Sequence, residues 1–537
     1  MLSIGGAGVT SSDNFVDRLI GPAGVFELDH SDPLTPRFLR GPKTIPEILG
    51  RARAFAKRPH LVTDERVYSF GETLNLARRV ANALTARWGA SGSSRIGLVI
   101  GDPVTAAIVF TGVAMFGGVA FLVPHAPNRQ SDSASWTAAF DILIFDGESQ
   151  RAMWFGATHR IDVKELVGAV DAGADAPLRP ACEDDEALAL FSGGSSGPPK
   201  CVMHTQSSVV AGLKSMMLAA ALQPAPRSSA GQAPPMAVSL LCGPLAHVSG
   251  VCQLLFSFMF GNALGFASSF PKPLARVISH HRVSALVGVG EPVVRGLLDE
   301  LGASEALPGI QTIVYAGARL PAKLAERLKQ QLPDVTVKVG YGLTETMGAV
   351  TGGGMVGPGV SPGAVGRVPP SLALRFGPRG EIALSGMMLM KGYVDLQTLR
   401  TQPRRPGWFE TGDLGRLGEE GELVVIGRSD EVLAVGDSVI AFAAIEDLAL
   451  RQGDIGQAFV CPARPGADEP PILVLSSSSD AHDTAELVKR RIEDRYPQLS
   501  GHLRISTMEA LPRTAAGKVD RRAMQALLRR GGRDETL

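Results

Sequence analysis

The sequence predicts an α/β protein: a large N-terminal domain of α/β layers that includes a small β-rich subdomain, followed by a small α+β C-terminal domain. Three observations predict this. Short apolar runs (RIGLVI, FDILIF, AVSLLC, ALVGVG, TIVYAG) alternate with helix-like segments (TLNLARRVANALTARW, EPVVRGLLDELG, PAKLAERLKQQL), the order of a layered fold with largely parallel strands. Near residue 363 the texture changes to brief strands between glycine turns: GAVGRVPP, LALRFG, EIALSG and GELVVIG. After Gly427-Arg428-Ser429-Asp430, a last segment of about a hundred residues has its own strands (IGQAFVCPA, PILVLSS, HLRISTM) and helix (DTAELVKRRIEDRY), enough for a small domain. The expected divisions are 1–426, with the β-rich part at about 363–426, a connector at 427–430, and 431–537.

A chain of 537 residues is too long for one ordinary core and calls for several structural units. Two long stretches, Pro103 to Val123 and Ser228 to Pro271, contain no Asp, Glu, Lys or Arg and could pass for membrane spans. Gly117-Gly118 breaks the first into a helix-like VTAAIVFTGVAMF and a strand-like VAFLV, and the second carries Pro, Gly, His247 and many Ser. Both read as buried elements of a large α/β core, with no membrane span. The RSSAGQAPP segment, Arg227 to Pro235, reads as a surface loop.

Charge narrows the partners. The 53 basic residues balance 53 acidic ones, so no global field recruits nucleic acid or anionic lipid, and a small-molecule ligand is the default. The five cysteines are scattered without a C-x-x-C pair, and MLSIGGAGVTSSDNF has neither a basic start nor a long apolar core. A reducing cytoplasmic setting is expected. No feature sets an oligomeric state.

The stretch FSGGSSGPPK, Phe191 to Lys200, is built to hold an anion. Gly and Ser supply backbone N–H groups and hydroxyls, and Lys200 supplies charge. It is not a P-loop, because two prolines separate Gly197 from Lys200 and Cys201 follows where Ser or Thr would stand. Taken alone, it could equally be a flexible surface loop.

Four more segments follow in order: YGLTET (Tyr341 to Thr346), FETGD (Phe409 to Asp413), GRSDEVL (Gly427 to Leu433) and LPRTAAGKVDR (Leu511 to Arg521). With FSGGSSGPPK, they make the chain resemble the adenylate-forming superfamily of acyl-CoA synthetases, luciferases and peptide-synthetase adenylation domains, from about residue 45 to 525. The pattern is most similar to AMP-forming acyl-CoA synthetases.

The resemblance implies an ATP-dependent ligase. A carboxylate attacks the α-phosphate of ATP to give an acyl-adenylate and pyrophosphate, and the acyl group then passes to CoA. Ser192, Gly193, Gly194, Ser195, Ser196, Gly197 and Lys200 would hold the β- and γ-phosphates; Gly193 and Cys201 depart from the family pattern. Thr344 would contact the α-phosphate and Glu345 would hold Mg²⁺, a hard cation for which one carboxylate with phosphates and waters suffices. Tyr341, followed by Gly342, would pack on adenine, and Asp413 with Arg428 would bind the ribose hydroxyls. Lys518, which in a basic tail would ordinarily be solvated, stands where the family has the lysine that bridges carboxylate and α-phosphate. Asp430 matches the family hinge, which makes 427–430 the pivot of a mobile C-terminal domain.

The acid is less legible. PLAHVSG resembles P-L-F-H-x-x-G and implies that His247 lies near the acyl carboxylate; a satisfied core histidine is the alternative. GVGEPVV and YAGARL match the pocket wall and the adenine-side turn, so that Val251, Val289, Gly317 and Ala318 suggest an apolar, fatty or aryl carboxylic acid. After the hinge the chain reads EVLAVGDSVIAFAAIE: Gly436 is present, Asp437 occupies the usual glycine position of thioester-forming members, and Ala444 replaces a glutamate. An anion there would oppose an anionic thiol donor. A carrier-protein thiol, an amine or an internal nucleophile therefore stays open as acceptor beside CoA. A catalytically silent nucleotide-binding relative is the reading from another class; Lys518, Glu345 and Asp413 argue against it.

Overall fold

The computed structural model describes the chain from residue 11 to 536 except 125–138, 148–151, 153–154, 170–179, 193–199, 224–237, 270–272, 302–308, 318, 357–362, 436–437, 452–454, 463–469, 478–480, 513–518 and 531–534. Two eight-stranded sheets dominate it. The first runs Thr401–Pro403, Gly392–Val394, Cys201–Thr205, Glu186–Phe191, Val119–Leu122, Arg95–Val99, Ala139–Phe145, Gly156–Asp162. Its last five strands are parallel and its first three antiparallel. The second runs Gly354–Met355, Thr336–Val339, Thr312–Tyr315, Val283–Val289, Val238–Leu241, Ala263–Phe266, Pro59–Val62, Val67–Ser69, parallel except at its two edges.

Helices fill the space between the sheets because they are apolar on more than one face. Pro103–Met115 buries Val104, Ala107, Phe110 and Val113 among others. Its start is set by Asp102, whose carboxylate accepts from Thr105 N at 2.7 Å, and by Pro103, which has no N–H to leave unpaired. Phe70–Trp88 begins at a reciprocal cap between Ser69 and Glu72 and stops at Gly89, whose φ of 65° a side chain would resist. These helices, with Val248–Phe260, join Leu98 and Leu122 of the first sheet to Leu61, Leu264 and Phe266 of the second in the largest hydrophobic core. Each such side chain contributes about 1.5–3 kcal/mol on burial, enough to make the two sheets one body. Among the described residues no helix is long and apolar enough to cross a membrane, and the charge-free Pro103–Val123 stretch is the buried helix and strand expected of it.

A four-stranded antiparallel sheet, Ala373–Phe376, Glu381–Ser385, Phe409–Leu417, Leu423–Arg428, lies in the glycine-rich part of the sequence. The intervening chain does not stay with it: Gly392–Val394 and Thr401–Pro403 cross over and extend the first large sheet next to Cys201–Thr205. Beyond Arg428 come the hairpin Val432–Val435/Ser438–Ala441, the helix Phe442–Leu450, and a sheet of Ile455–Cys461, Ile472–Ser477, Arg504–Met508 and Glu535–Thr536. Its core of Ile445, Leu473, Leu475, Val488, Ile492 and Leu503 is separate from those before it.

Candidate active site

The antiparallel pairing of Phe409–Leu417 with Leu423–Arg428 sets Asp413 directly opposite Arg428. Arg428 Nη1 donates to Asp413 Oδ1 at 3.1 Å and to the Thr411 carbonyl at 3.2 Å. Tyr341, from the end of the second large sheet, donates its hydroxyl to Asp413 Oδ2 at 2.7 Å. Gly412 makes the approach feasible: its φ is 77°, and a Cβ there would lie 2.9 Å from Arg428 Nη2. Only 5% of Asp413 is exposed. Burial raises its pKa against the stabilising pull of Tyr341 and Arg428. Burial also works against the Arg428 charge, but Asp413 and Asp430 outweigh it and raise that pKa. Tyr341, buried and facing Asp413, is pushed well above the ordinary phenol value and stays a donor.

From Tyr341 the chain makes a tight two-stranded turn, Gly342 opposite Ala349 and Leu343 opposite Gly348, with Thr344–Thr346 as its short helical tip. A side chain at Gly342 would collide with the Gly348 backbone, so glycine is needed for the turn to close. The tip is held from the first large sheet. His204 Nε2 lies 2.8 Å from the Thr344 carbonyl, which can only accept, so Nε2 carries the proton and Nδ1 accepts from Ser208 Oγ at 3.2 Å. Burial lowers the His204 pKa to about 4, so this imidazole is neutral.

Glu345 projects from the same tip. Its Oε1 accepts from the Tyr393 hydroxyl at 2.9 Å, and among the described residues no donor reaches Oε2. Burial, then the neighbouring Glu345 carboxylate, push the Tyr393 phenol upward, so the proton stays on the tyrosine. Among the described residues no three His, Cys, Asp or Glu side chains converge as a metal cage. One half-buried carboxylate with an open oxygen is the donor set that suits Mg²⁺, which draws its remaining ligands from phosphates and water.

The neck of the 193–199 loop is closed by Ser192 N donating to the Lys200 carbonyl at 2.8 Å and Lys200 N donating to Ser192 Oγ at 3.2 Å. Lys200 Nζ stands 5.0 Å from the centre of the Tyr393 ring, on the same tyrosine that holds Glu345. Gly193, Gly194, Ser195, Ser196, Gly197, Ala318 and Lys518 lie outside the described residues, as do Gly436, Asp437 and the 227–235 segment.

His247 is the residue just before the helix Val248–Phe260; its carbonyl accepts from Gly250 N at 2.9 Å and Val251 N at 3.1 Å. Gly317 has φ of 86°, the conformation that ends the Thr312–Tyr315 strand in a turn. Val251 and Val289 are buried in the cores at 0% and 1% exposure, so they back this region rather than face it. Beside Ala246 a cavity of about 280 Å³ opens between the ends of the two large sheets, lined by Leu98, Ile100, Leu122, Val123, Cys242 and Leu245 among others; among the described residues that line it none is charged. Burial pushes the Cys242 thiol up to about 12, which leaves it protonated and a poor nucleophile.

On the C-terminal side, Asp430 Oδ1 is 3.7 Å from Arg428 Nε. Arg319, two residues after Gly317, pairs with Asp447 of the helix Phe442–Leu450 at 2.6 Å, with both side chains partly buried. Next to Asp447, the Glu446 carboxylate accepts from Val460 N at 2.8 Å; burial raises its pKa to about 7.

Sequence reasoning named Tyr341, Glu345, Asp413 and Arg428, and the fold brings Tyr341, Asp413 and Arg428 into one hydrogen-bonded cluster with Glu345 on the adjoining turn. It missed His204 and Tyr393. The signal for Tyr393 lay in strand register, and that for His204 in a contact with a carbonyl 140 residues away, neither of which MKGYVD and HTQSS advertise.

The buried Asp–Arg–Tyr cluster and the half-buried glutamate lie beside two largely parallel sheets, an arrangement that suits a nucleotide-using enzyme. Residues 50–394 match the model of the family described as AMP-binding enzyme, and the chain belongs to that family and to the adenylate-forming superfamily. Among curated proteins, it is 27% identical over 365 residues to 4-coumarate–CoA ligase-like 6 of Oryza sativa subsp. japonica, covering 63% of this chain and 60% of that protein. It is 25% identical over 508 residues to 2-succinylbenzoate–CoA ligase of Bacillus velezensis, covering 89% and 97%. The fold matches O-succinylbenzoate coenzyme A synthetase from Bacillus subtilis, solved in complex with AMP, with a TM-score of 0.71 at 21% identity over 91% of this chain and 99% of that one.

Proposed function

We propose that the protein is an AMP-forming acid–thiol ligase that adenylates an apolar, fatty or aryl carboxylic acid and transfers the acyl group to CoA. The observation that carries this reading is the shared frame of Tyr341, Asp413, Arg428 and Glu345: one turn, Tyr341 to Thr346, joins a cluster suited to ribose hydroxyls to a carboxylate suited to Mg²⁺. The relatives' names as CoA ligases support the acceptor.

In this reading Asp413 accepts from the ribose hydroxyls, since each carboxylate oxygen has a lone pair beyond those used by Tyr341 and Arg428. The 193–199 loop and Lys200 receive the phosphates. Mg²⁺, bound through Glu345, supplies charge neutralisation on those phosphates. Lys518 bridges the acid's carboxylate and the α-phosphate, where negative charge develops as pyrophosphate leaves. The uncharged cavity beside Ala246 suits an apolar group better than an amino acid's ammonium. An internal Cys242 acceptor is disfavoured by its protonated thiol. The five free cysteines suit a reducing cytoplasm.

Pyrophosphate release measured across a panel of acids, with and without CoA, tests the proposal. Acid-dependent release with acyl-CoA formation is expected. Release without acyl-CoA would move the acceptor to a carrier thiol or amine, and no release with any acid would refute the ligase.

A further inference from the structure

We infer that Tyr393, on the short strand Gly392–Val394, is a positioning residue that couples the phosphate-loop lysine to the carboxylate suited to Mg²⁺; the inference rests on the reading of Glu345 as the metal ligand. Its hydroxyl donates to Glu345 Oε1 at 2.9 Å, while its ring carries Lys200 Nζ at 5.0 Å from the ring centre. One side chain therefore touches both groups through different atoms.

Its position is fixed by backbone. The strand pairs antiparallel with Cys201–Thr205 in the register Cys201↔Val394, Val202↔Tyr393, Met203↔Gly392, which sets Tyr393 beside the exit of the phosphate loop. Immediately before it, Met390 N donates to the Glu345 carbonyl at 2.8 Å and Lys391 N to the Met203 carbonyl at 2.8 Å. Glu345 is thus gripped at its backbone and at its carboxylate by residues 390 and 393 of the same segment.

A glutamate carboxylate has a broad, weakly restricted terminal torsion. The Tyr393 hydrogen bond engages Oε1 and leaves Oε2 for a cation, so the orientation is set before Mg²⁺–ATP arrives. Partners that orient a metal-binding group typically contribute 10- to 100-fold to metal affinity. The ring acts separately. It keeps the Lys200 ammonium near the place where the phosphates would lie, at the modest strength of an exposed cation–π contact.

The two effects separate by substitution. ATP binding measured by calorimetry while Mg²⁺ is titrated reads the first, and ATP binding without Mg²⁺ reads the second. Tyr393→Phe keeps the ring and removes the hydroxyl; it is expected to raise the Mg²⁺ concentration for half-maximal ATP binding by about 10-fold and to leave Mg²⁺-free ATP affinity unchanged. Tyr393→Ala is expected to give the same Mg²⁺ shift and to weaken Mg²⁺-free binding by about threefold as well. A general loss of structure would weaken both readings in both variants, so Tyr393→Phe decides the matter even where Tyr393→Ala unfolds. Wild-type Mg²⁺ dependence in Tyr393→Phe would overturn the inference alone. Wild-type protein that binds ATP with no dependence on Mg²⁺ would overturn the reading of Glu345, and the inference with it.

Discussion

Asp413 accepts a hydrogen bond on each oxygen, and replacing it with asparagine separates its charge from its shape. Arg428 can only donate, so in Asp413→Asn the amide oxygen must face Arg428 and the NH₂ must face Tyr341, whose hydroxyl can accept. The cluster can therefore persist without its anion. Losing a charge-assisted acceptor of about 1.5–3 kcal/mol should weaken ATP binding by about 10- to 100-fold while the fold survives; affinity within twofold of wild type, by calorimetry, would remove Asp413 from the nucleotide site. Two other buried side chains set the response to acid. His60 is stacked 4.0 Å from the Phe70 ring centre, and burial lowers its pKa to about 3; His204 is lowered to about 4. Both values are depressed from 6.5, so the stability these neutral imidazoles contribute is fully present above pH 6.5 and is lost as pH falls toward 3 to 4. Each should cost about 2 kcal/mol at pH 5, and the urea midpoint should drop between pH 7 and pH 5. His60→Phe should flatten part of that drop; an unchanged pH slope would mean that His60 does not titrate on unfolding.

Elements were legible in the sequence where their own residues determined them. The runs RIGLVI, FDILIF, ALVGVG and TIVYAG became parallel strands because branched apolar side chains fit a sheet covered on both faces. The helices named from their periodicity lie within a few residues of Phe70–Trp88, Glu291–Leu301 and Ala322–Gln331. What could not be read was pairing between distant segments. GYV looks like part of the glycine-rich subdomain, yet three backbone partners on Cys201–Met203 draw it into the first sheet, and with it the Tyr393 contact to Glu345. His204 was invisible because the carbonyl that it meets, that of Thr344, is 140 residues away. The helix Phe442–Leu450 supplies another test. Burial raises the pKa of its Glu446 from 4.5 to about 7, so the stability tied to its proton is fully present below 4.5 and lost as pH rises to about 7. Glu446→Gln keeps an acceptor for Val460 N–H without the titration. Relative to wild type it should gain about 3 kcal/mol between pH 4.5 and pH 8, read from denaturant unfolding; an identical pH dependence in both proteins would show that the carboxyl stays ionised or solvated.

At the scale of the whole molecule, the Arg319–Asp447 pair joins the turn after Gly317 to the first helix beyond the 427–430 connector. Any rotation about Asp430 has to break it. Asp447→Asn should raise the rate of tryptic cleavage at Arg428 about fivefold, the change expected from losing about 1 kcal/mol of partly exposed ion pair, and high salt should produce the same change in wild-type protein. Equal cleavage rates would mean that the pair does not hold the Phe442–Leu450 helix against the turn after Gly317. The first sheet has a different consequence, one for synthesis. Its strand Cys201–Thr205 leaves the ribosome long before its outer neighbours Gly392–Val394 and Thr401–Pro403. Until those arrive, the nascent chain exposes an unpaired β-edge, the kind of surface that invites aggregation and chaperone binding. Chains released before residue 403 should therefore bind chaperones more strongly than the full-length chain, as co-purification of truncated chains would show.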